Sequence, residues 1–168
     1  MYKDPLSFLG PLQSRRLLLY GLGADALGFA MAGADVHGFD PCGSRVQGLK
    51  DLARDMGLRD RTHLQTAATG PLAYPGDFFD LAFGRMVQDD GDLTSGSQEL
   101  IRVLKVGGRA AFVIGSRSPV VEPVRRTFGS AVMGNCWIGV EKSGTGTARA
   151  TGRIRTDDRS ITNRELYP

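Results

Sequence analysis

A chain of 168 residues, 41% hydrophobic and 23% charged, has the length and balance of one folded domain, which excludes a wholly disordered polymer. A net charge of +3 is too small for a nucleic-acid-binding surface, so no nucleic-acid partner is expected. No stretch approaches the roughly 20 apolar residues of a membrane span, and no membrane crossing is expected.

Cys42 and Cys136 lie far apart without a C-x-x-C partner, which points to a reducing cytoplasm rather than a disulfide framework. His37 and His63 have no companions at ligand spacing in the sequence, so no metal site is expected. Arg15-Arg16 before the apolar run 17–20, with Ala32-Gly33-Ala34 behind it, has the layout of an export signal. Asp25 inside that stretch argues against it. Cleavage there would also remove the glycine turn on which the following pattern depends.

In chain order, residues 1–15, with Pro5, Gly10 and Pro11, read as an irregular lead-in. Leu17 to Tyr20 is a continuous apolar run stopped by Gly21, as expected of a strand buried on both faces of a parallel sheet. Asp25 to Ala32 fits a short helix with Gly33 as its stop, and Val36 to Phe39 a second strand ending at Asp40-Pro41. Ser44 with Gln47 predicts a capping box, followed by Val46, Leu49, Ala53 and Met56 at helical spacing up to Gly57. His63 to Thr66 is a weak third strand, and Phe78 to Phe83 a fourth, interrupted by Asp80. Ser95 with Gln98 predicts a second capping box, opening a helix through Leu104.

The turn Val106-Gly107-Gly108 leads into a fifth strand, Ala110 to Ile114. A helix over 120–128 and two short apolar runs, 131–133 and 137–140, complete the pattern. Trp137 reads as a core residue. Strands alternating with helices at this spacing predict an α/β, doubly wound, mostly parallel sheet over residues 1–142. From Ser143 the composition turns to Gly, Thr, Arg and Asp, and 143–168 reads as a flexible tail.

The chemistry concentrates where the first strand meets Gly21-Leu22-Gly23. A glycine at the strand end allows a tight turn, and a second lets a ligand approach the main chain. The following helix offers free N–H groups to a ligand's polar atoms. Asp40, 19 residues beyond Gly21 at the tip of the second strand, can accept hydrogen bonds from both hydroxyls of a ribose. Packing glycines and an Asp40 that caps the next helix are the structural alternative. The pattern specifies an adenosine-containing cofactor, and Gly21-x-Gly23-x-x-Ala26 alone also fits the dinucleotide fingerprint of NAD.

The second half of the chain separates these two. Phe79-Asp80-Leu81-Ala82-Phe83, followed by Glu99-Leu100-Ile101-Arg102-Val103-Leu104-Lys105-Val106-Gly107-Gly108-Arg109, resembles the class I S-adenosylmethionine-dependent methyltransferases. The resemblance covers about residues 16–142. It implies a seven-stranded Rossmann-like sheet with a reversed last strand, in a three-layer α/β/α arrangement, binding S-adenosylmethionine over the carboxyl ends of the first four strands. It further implies cofactor contacts from Tyr20, Gly21, Leu22, Gly23, Asp40, Pro41, Thr66, Ala67, Gly84 and Arg85. Gly21 and Gly23 would back the methionine moiety, Asp40 the ribose and Pro41 the adenine. The substrate side would be lined by Arg85, Met86, Gln88, Asp89 and Asp90, with either aspartate a candidate base, although a solvated acidic loop is the favoured reading of the pair.

Three positions depart from the family pattern. Leu19 stands where an acid is usual, Asp25 where a glycine is common, and residues 62–71 contain no acid for the adenine amino group. The resulting expectation is a methyltransferase acting on a small molecule. A catalytically inactive scaffold or partner subunit is the alternative, and an NAD-binding domain the third. The short lead-in leaves the cofactor face open, or closed by a second subunit, as in a homodimer.

Overall fold

The computed structural model describes residues 4–67, 72–86, 93–114, 132–134 and 137–144. The chain opens on a short helix, α1 (Pro5–Leu9), where the sequence suggested an irregular lead-in. Asp4 and Ser7 form a reciprocal capping box, Pro5 occupies the first turn, and Gly10 takes φ 81° at the C-cap. The two residues that looked like breakers therefore delimit a helix, because proline is tolerated where no N–H is needed and glycine where φ is positive. Phe8 and Leu9 are buried, so this helix belongs to the core.

Strand β1 (Arg16–Tyr20) leads through the glycine turn into α2 (Asp25–Met31), β2 (Asp35–Asp40) and α3 (Gly43–Asp55). Gly33 and Gly57 end α2 and α3 with φ of 93° and 69°, conformations a side chain would strain. A 3-10 turn (Arg59–Arg61) precedes β3 (Thr62–Thr66), followed by β4 (Phe79–Met86), α4 (Leu93–Val103) and β5 (Leu104–Ile114). Two short strands, β6 (Val132–Gly134) and β7 (Trp137–Glu141), complete the described elements. The helix expected over 120–128 and the tail beyond 144 lie outside the described residues.

Neither expected capping box forms. Helix α3 begins with Cys42 at its N-cap and no side-chain cap bond; Ser44 Oγ lies 3.2 Å from Cys42 Sγ, and Gln47 donates to Asp51. Asp40 has already taken the Cys42 N–H, which makes a serine cap redundant there. Helix α4 begins at Leu93, which puts Ser95 inside its first turn rather than before it.

The sheet has seven strands in the order β3-β2-β1-β4-β5-β7-β6. Strands β1 to β5 are parallel, and β7 runs antiparallel to both neighbours, the reversed strand the resemblance implied. Helices cover both faces. One core packs α1, α2 and α3 on Leu17, Leu19 and Val36; the other packs Leu100 and Val103 of α4 with Leu18, Ala82 and Phe112. The expected turn at 106–108 is a bulge within β5: Phe79 pairs with Leu104 but Leu81 with Arg109. Trp137 is buried, its ring 5.8 Å from that of Phe8. Among the described residues, no helix is long and apolar enough to cross a membrane.

Candidate cofactor site at the carboxyl edge of the sheet

Parallel register brings the strand ends of β1–β4 to one edge. Tyr20 pairs with Phe39 on one side and Gly84 on the other, and Asp40 pairs with Thr66. The residues that the sequence scattered over 20–85 thus converge at the carboxyl edge, where a doubly wound sheet leaves a crevice for a ligand.

The turn after β1 is built to hold its shape. Gly21 has φ 77°, which favours glycine, and its backbone is exposed at the edge. Leu22 points inward and is 7% exposed. Its methyl group occupies the space above Gly38, where an added Cβ would lie 2.5 Å away. With the side chain anchored there, the Leu22 N–H donates to Asp40 Oδ2 at 3.2 Å. Gly23 is different: a Cβ there would meet only Asp25 Oδ2, at 3.9 Å. Its missing side chain serves no packing partner among the described residues. The space is open.

Asp40 is 2% exposed, and its carboxylate is well supplied with donors. Cys42 N–H donates to Oδ1 at 2.8 Å, and Arg45 Nη1 to Oδ2 at 2.7 Å, besides Leu22 N–H. Burial alone would raise its pKa, but the Cys42, Arg45 and Leu22 hydrogen bonds outweigh that and hold the carboxyl below the ordinary range. Asp40 is therefore an anion joining the glycine turn to the start of α3, as well as the carboxylate at the strand tip. Arg45 was not anticipated as a site residue; its only signal in the sequence is its position in the first turn of a helix shortly after an aspartate. Its side chain is 55% exposed, so one end of this ion pair is free to move.

Pro41, Thr66 and Ala67 are exposed around Asp40. At Gly43 an added Cβ would make only ordinary contact with Thr66 Oγ1, at 3.6 Å, and Ala67 N–H donates to the Asp40 carbonyl. On the other side of β1, Gly84 is buried, and its role is packing: a Cβ would come within 2.9 Å of both Tyr20 Cβ and Phe112. The Tyr20 ring turns away from the turn into the α4-side core, edge-on to Phe39 and Phe112. Its hydroxyl is buried without a hydrogen-bond partner among the described residues, and burial pushes the phenol far above its ordinary pKa. The Arg85 and Met86 backbones continue β4 beside β5, while Gln88, Asp89 and Asp90 lie outside the described residues.

Two of the departures have a physical explanation. Leu19 is 2% exposed in the core shared by α1–α3, with its Cβ against Gly38, where an unpaired acid would be costly to bury. Asp25 is the first residue of α2, where a carboxylate favours the positive end of a helix.

At the opposite, amino-terminal edge lies an arrangement that sequence spacing does not reveal. His37 and His63 are register partners on β2 and β3, their rings stacked at 4.4 Å, and Asp35 reaches both. Burial lowers the His37 pKa despite the neighbouring Asp35 carboxylate.

No protein-family profile matches the sequence, and no curated protein matches it. Solved structures do. The [4+2]-cyclase SpnF superposes with a TM-score of 0.60 at 24% identity over 68% of this chain and 51% of that one. The YcgJ protein from Bacillus subtilis gives 0.57 at 27% identity over 62% and 46%. An S-adenosylmethionine-dependent methyltransferase from Mesorhizobium loti gives 0.57 at 22% identity over 66% and 51%. The chain spans about half the length of these structures. The fold is the Rossmann-like fold of the class I methyltransferases.

Proposed function

We propose that the chain binds S-adenosylmethionine across the carboxyl ends of β1–β4 and transfers its methyl group to a small-molecule acceptor. The observation that carries this reading is the ionised Asp40 carboxylate fixed beside the Gly21–Gly23 turn, with open space at Gly23. A ribose presents two adjacent hydroxyls. Asp40 Oδ1 accepts a single hydrogen bond among the described residues, from Cys42, and so retains acceptor capacity; Oδ2 regains it when the exposed Arg45 arm swings aside. The adenosyl half therefore fits the residues present. Pro41, Thr66 and Ala67 would border the adenine, and Tyr20 to Gly23, Gly84 and Arg85 would offer main chain to the rest.

When bound, the cofactor supplies an electron-poor methyl group. The chain's part is to hold that group in line with a nucleophile, from which orientation alone yields much of the rate. Structural neighbours described as geranyl diphosphate methyltransferases support a small-molecule acceptor. A second copy or a partner subunit would complete the site. A reducing cytoplasm accords with the exposed free thiol of Cys42.

A second reading, a methyltransferase-like scaffold without activity, is favoured by the Arg45–Asp40 pair and by Leu19 in the core. The cyclase neighbour illustrates that this fold is not tied to methyl transfer. Calorimetric titration of S-adenosylmethionine and S-adenosylhomocysteine, with NAD as control, separates the cases. Micromolar binding of the first two is expected, lost in Gly23→Val while thermal stability is kept. No heat from either ligand would overturn the proposal in favour of the scaffold. Preference for NAD would reassign the turn to a dinucleotide.

A further inference from the structure

The geometry points to a binding site for a divalent transition-metal ion of the zinc class, formed by Asp35, His37 and His63 at the amino-terminal edge of the sheet. Asp35 and His37 are two residues apart on β2 and so project from the same face. His63 is the register partner of His37 on β3, which brings the third group onto that face. One ligand atom from each lies within 4.8 Å of the other two. His63 Nε2 is 2.9 Å from Asp35 Oδ1, and His37 Nε2 is 3.4 Å from Asp35 Oδ2. Tetrahedral zinc with bonds of about 2.1 Å needs its ligand atoms roughly 3.4 Å apart, and each imidazole nitrogen already lies near that distance from one oxygen of the Asp35 carboxylate. Drawing both nitrogens and a single carboxylate oxygen, now within 4.8 Å of one another, onto one ion takes a small closing of the cluster. The freedom for that lies with His63, whose side chain is 45% exposed on an edge strand, whereas His37 is 11% exposed.

The surroundings fix one ligand and leave the others accessible. The His37 ring is walled by Tyr74, Phe78 and Phe79, with centroids 5.4 to 5.6 Å away, which restricts its orientation. Asp35 is 38% exposed, so solvent can reach the metal and complete its coordination. Two imidazoles and one carboxylate suit a borderline cation such as zinc better than magnesium or calcium, which prefer all-oxygen sets. The opposing term is Arg16, which rests 4.5 Å from the Phe78 ring and adds a positive charge nearby. Bound metal would clamp β3, an edge strand, to β2. The site is at the opposite edge from Asp40 and is independent of the cofactor proposal.

The test uses chelator-treated full chain carrying Cys42→Ser and Cys136→Ser, so that thiols contribute nothing. Zinc chloride is titrated by calorimetry, and thermal midpoints are recorded with and without the metal. Micromolar zinc is expected to bind with one-to-one stoichiometry and raise the midpoint, while millimolar magnesium does neither. His63→Gln, an exposed change that keeps the fold, should weaken zinc binding by at least about tenfold and abolish the shift; Asp35→Asn should do likewise. Equal zinc binding in parent and His63→Gln would overturn the proposal, as would no binding below millimolar concentration.

Discussion

Arg45 Nη1 sits 2.7 Å from Asp40 Oδ2, on the carboxylate that the cofactor reading assigns to a ribose. Arginine and ribose would compete for the same oxygen. Arg45→Ala should therefore tighten adenosyl-ligand binding by roughly two- to fivefold, the range of a solvent-exposed ion pair, with little change in thermal midpoint. Parallel calorimetry on both proteins checks this, and weaker binding in the variant would make Arg45 part of the site instead.

Asp40→Asn keeps the shape of the side chain and removes its charge. An amide cannot accept from Leu22, Cys42 and Arg45 at once without turning its NH2 toward a donor. A loss of about 2 kcal/mol in chemical denaturation is expected, with adenosyl binding abolished, because hydrogen bonds to buried charge are the stronger ones. An unchanged denaturation midpoint would show that the carboxylate does not brace the turn.

Two glycines at the same edge should behave oppositely. Gly84→Ala forces a methyl to within 2.9 Å of Tyr20 Cβ and Phe112, and should cost about 1–3 kcal/mol through overpacking. Gly23→Val places its Cβ where only Asp25 Oδ2 lies within 4 Å, and should leave stability alone while blocking the ligand. Thermal melts paired with ligand titration distinguish packing from recognition at each position.

Acid should unfold the protein through its paired carboxylates. Arg102, donating twice to Glu99 together with the Leu72 N–H, lowers that carboxyl to about 2. Asp40 and Asp80 are also held below their ordinary values, Asp80 by Lys105 and the Arg16 N–H against the effect of burial. All three are depressed in the folded state. Their stabilisation is present above the unfolded values near 4 and is lost as pH falls toward 2. Denaturation midpoints measured from pH 6 to pH 2 should fall steeply, and Glu99→Gln should flatten the lower part of that curve.

The first strand, the glycine turn and Asp40 were legible because each is local: an apolar run, a stop, and a carboxylate at a set distance. The five parallel strands followed from the alternation of elements. What was not legible depends on partners distant in sequence. The helix of residues 5–9 has too few residues to show periodicity, and its value lies in Phe8 meeting Trp137 and Gly139. The capping box expected at Ser44 failed because Asp40, two residues before the N-cap Cys42, had already taken that N–H. His37 and His63, 26 positions apart, become neighbours only through the register of β2 and β3. Arg45 was invisible as a site residue because an exposed helical arginine is ordinary until its carboxylate is seen.

Phe8 itself offers the sharpest check on the first helix. It is 1% exposed, its carbonyl accepts from Arg109 Nη1, and Phe8→Ala should cost about 3–5 kcal/mol, measured by urea unfolding.

That contact also orders events in time. Residues 4–9 leave the ribosome well before the surface they bury against, which belongs to β5 and β7 and is synthesised about a hundred residues later. At translation rates of about 5–20 residues per second, the apolar side of this segment waits several seconds or more for its partner. Nascent chains arrested before Trp137 should expose Phe8 and Leu9 to a chaperone, and chains extended past Glu141 should conceal them.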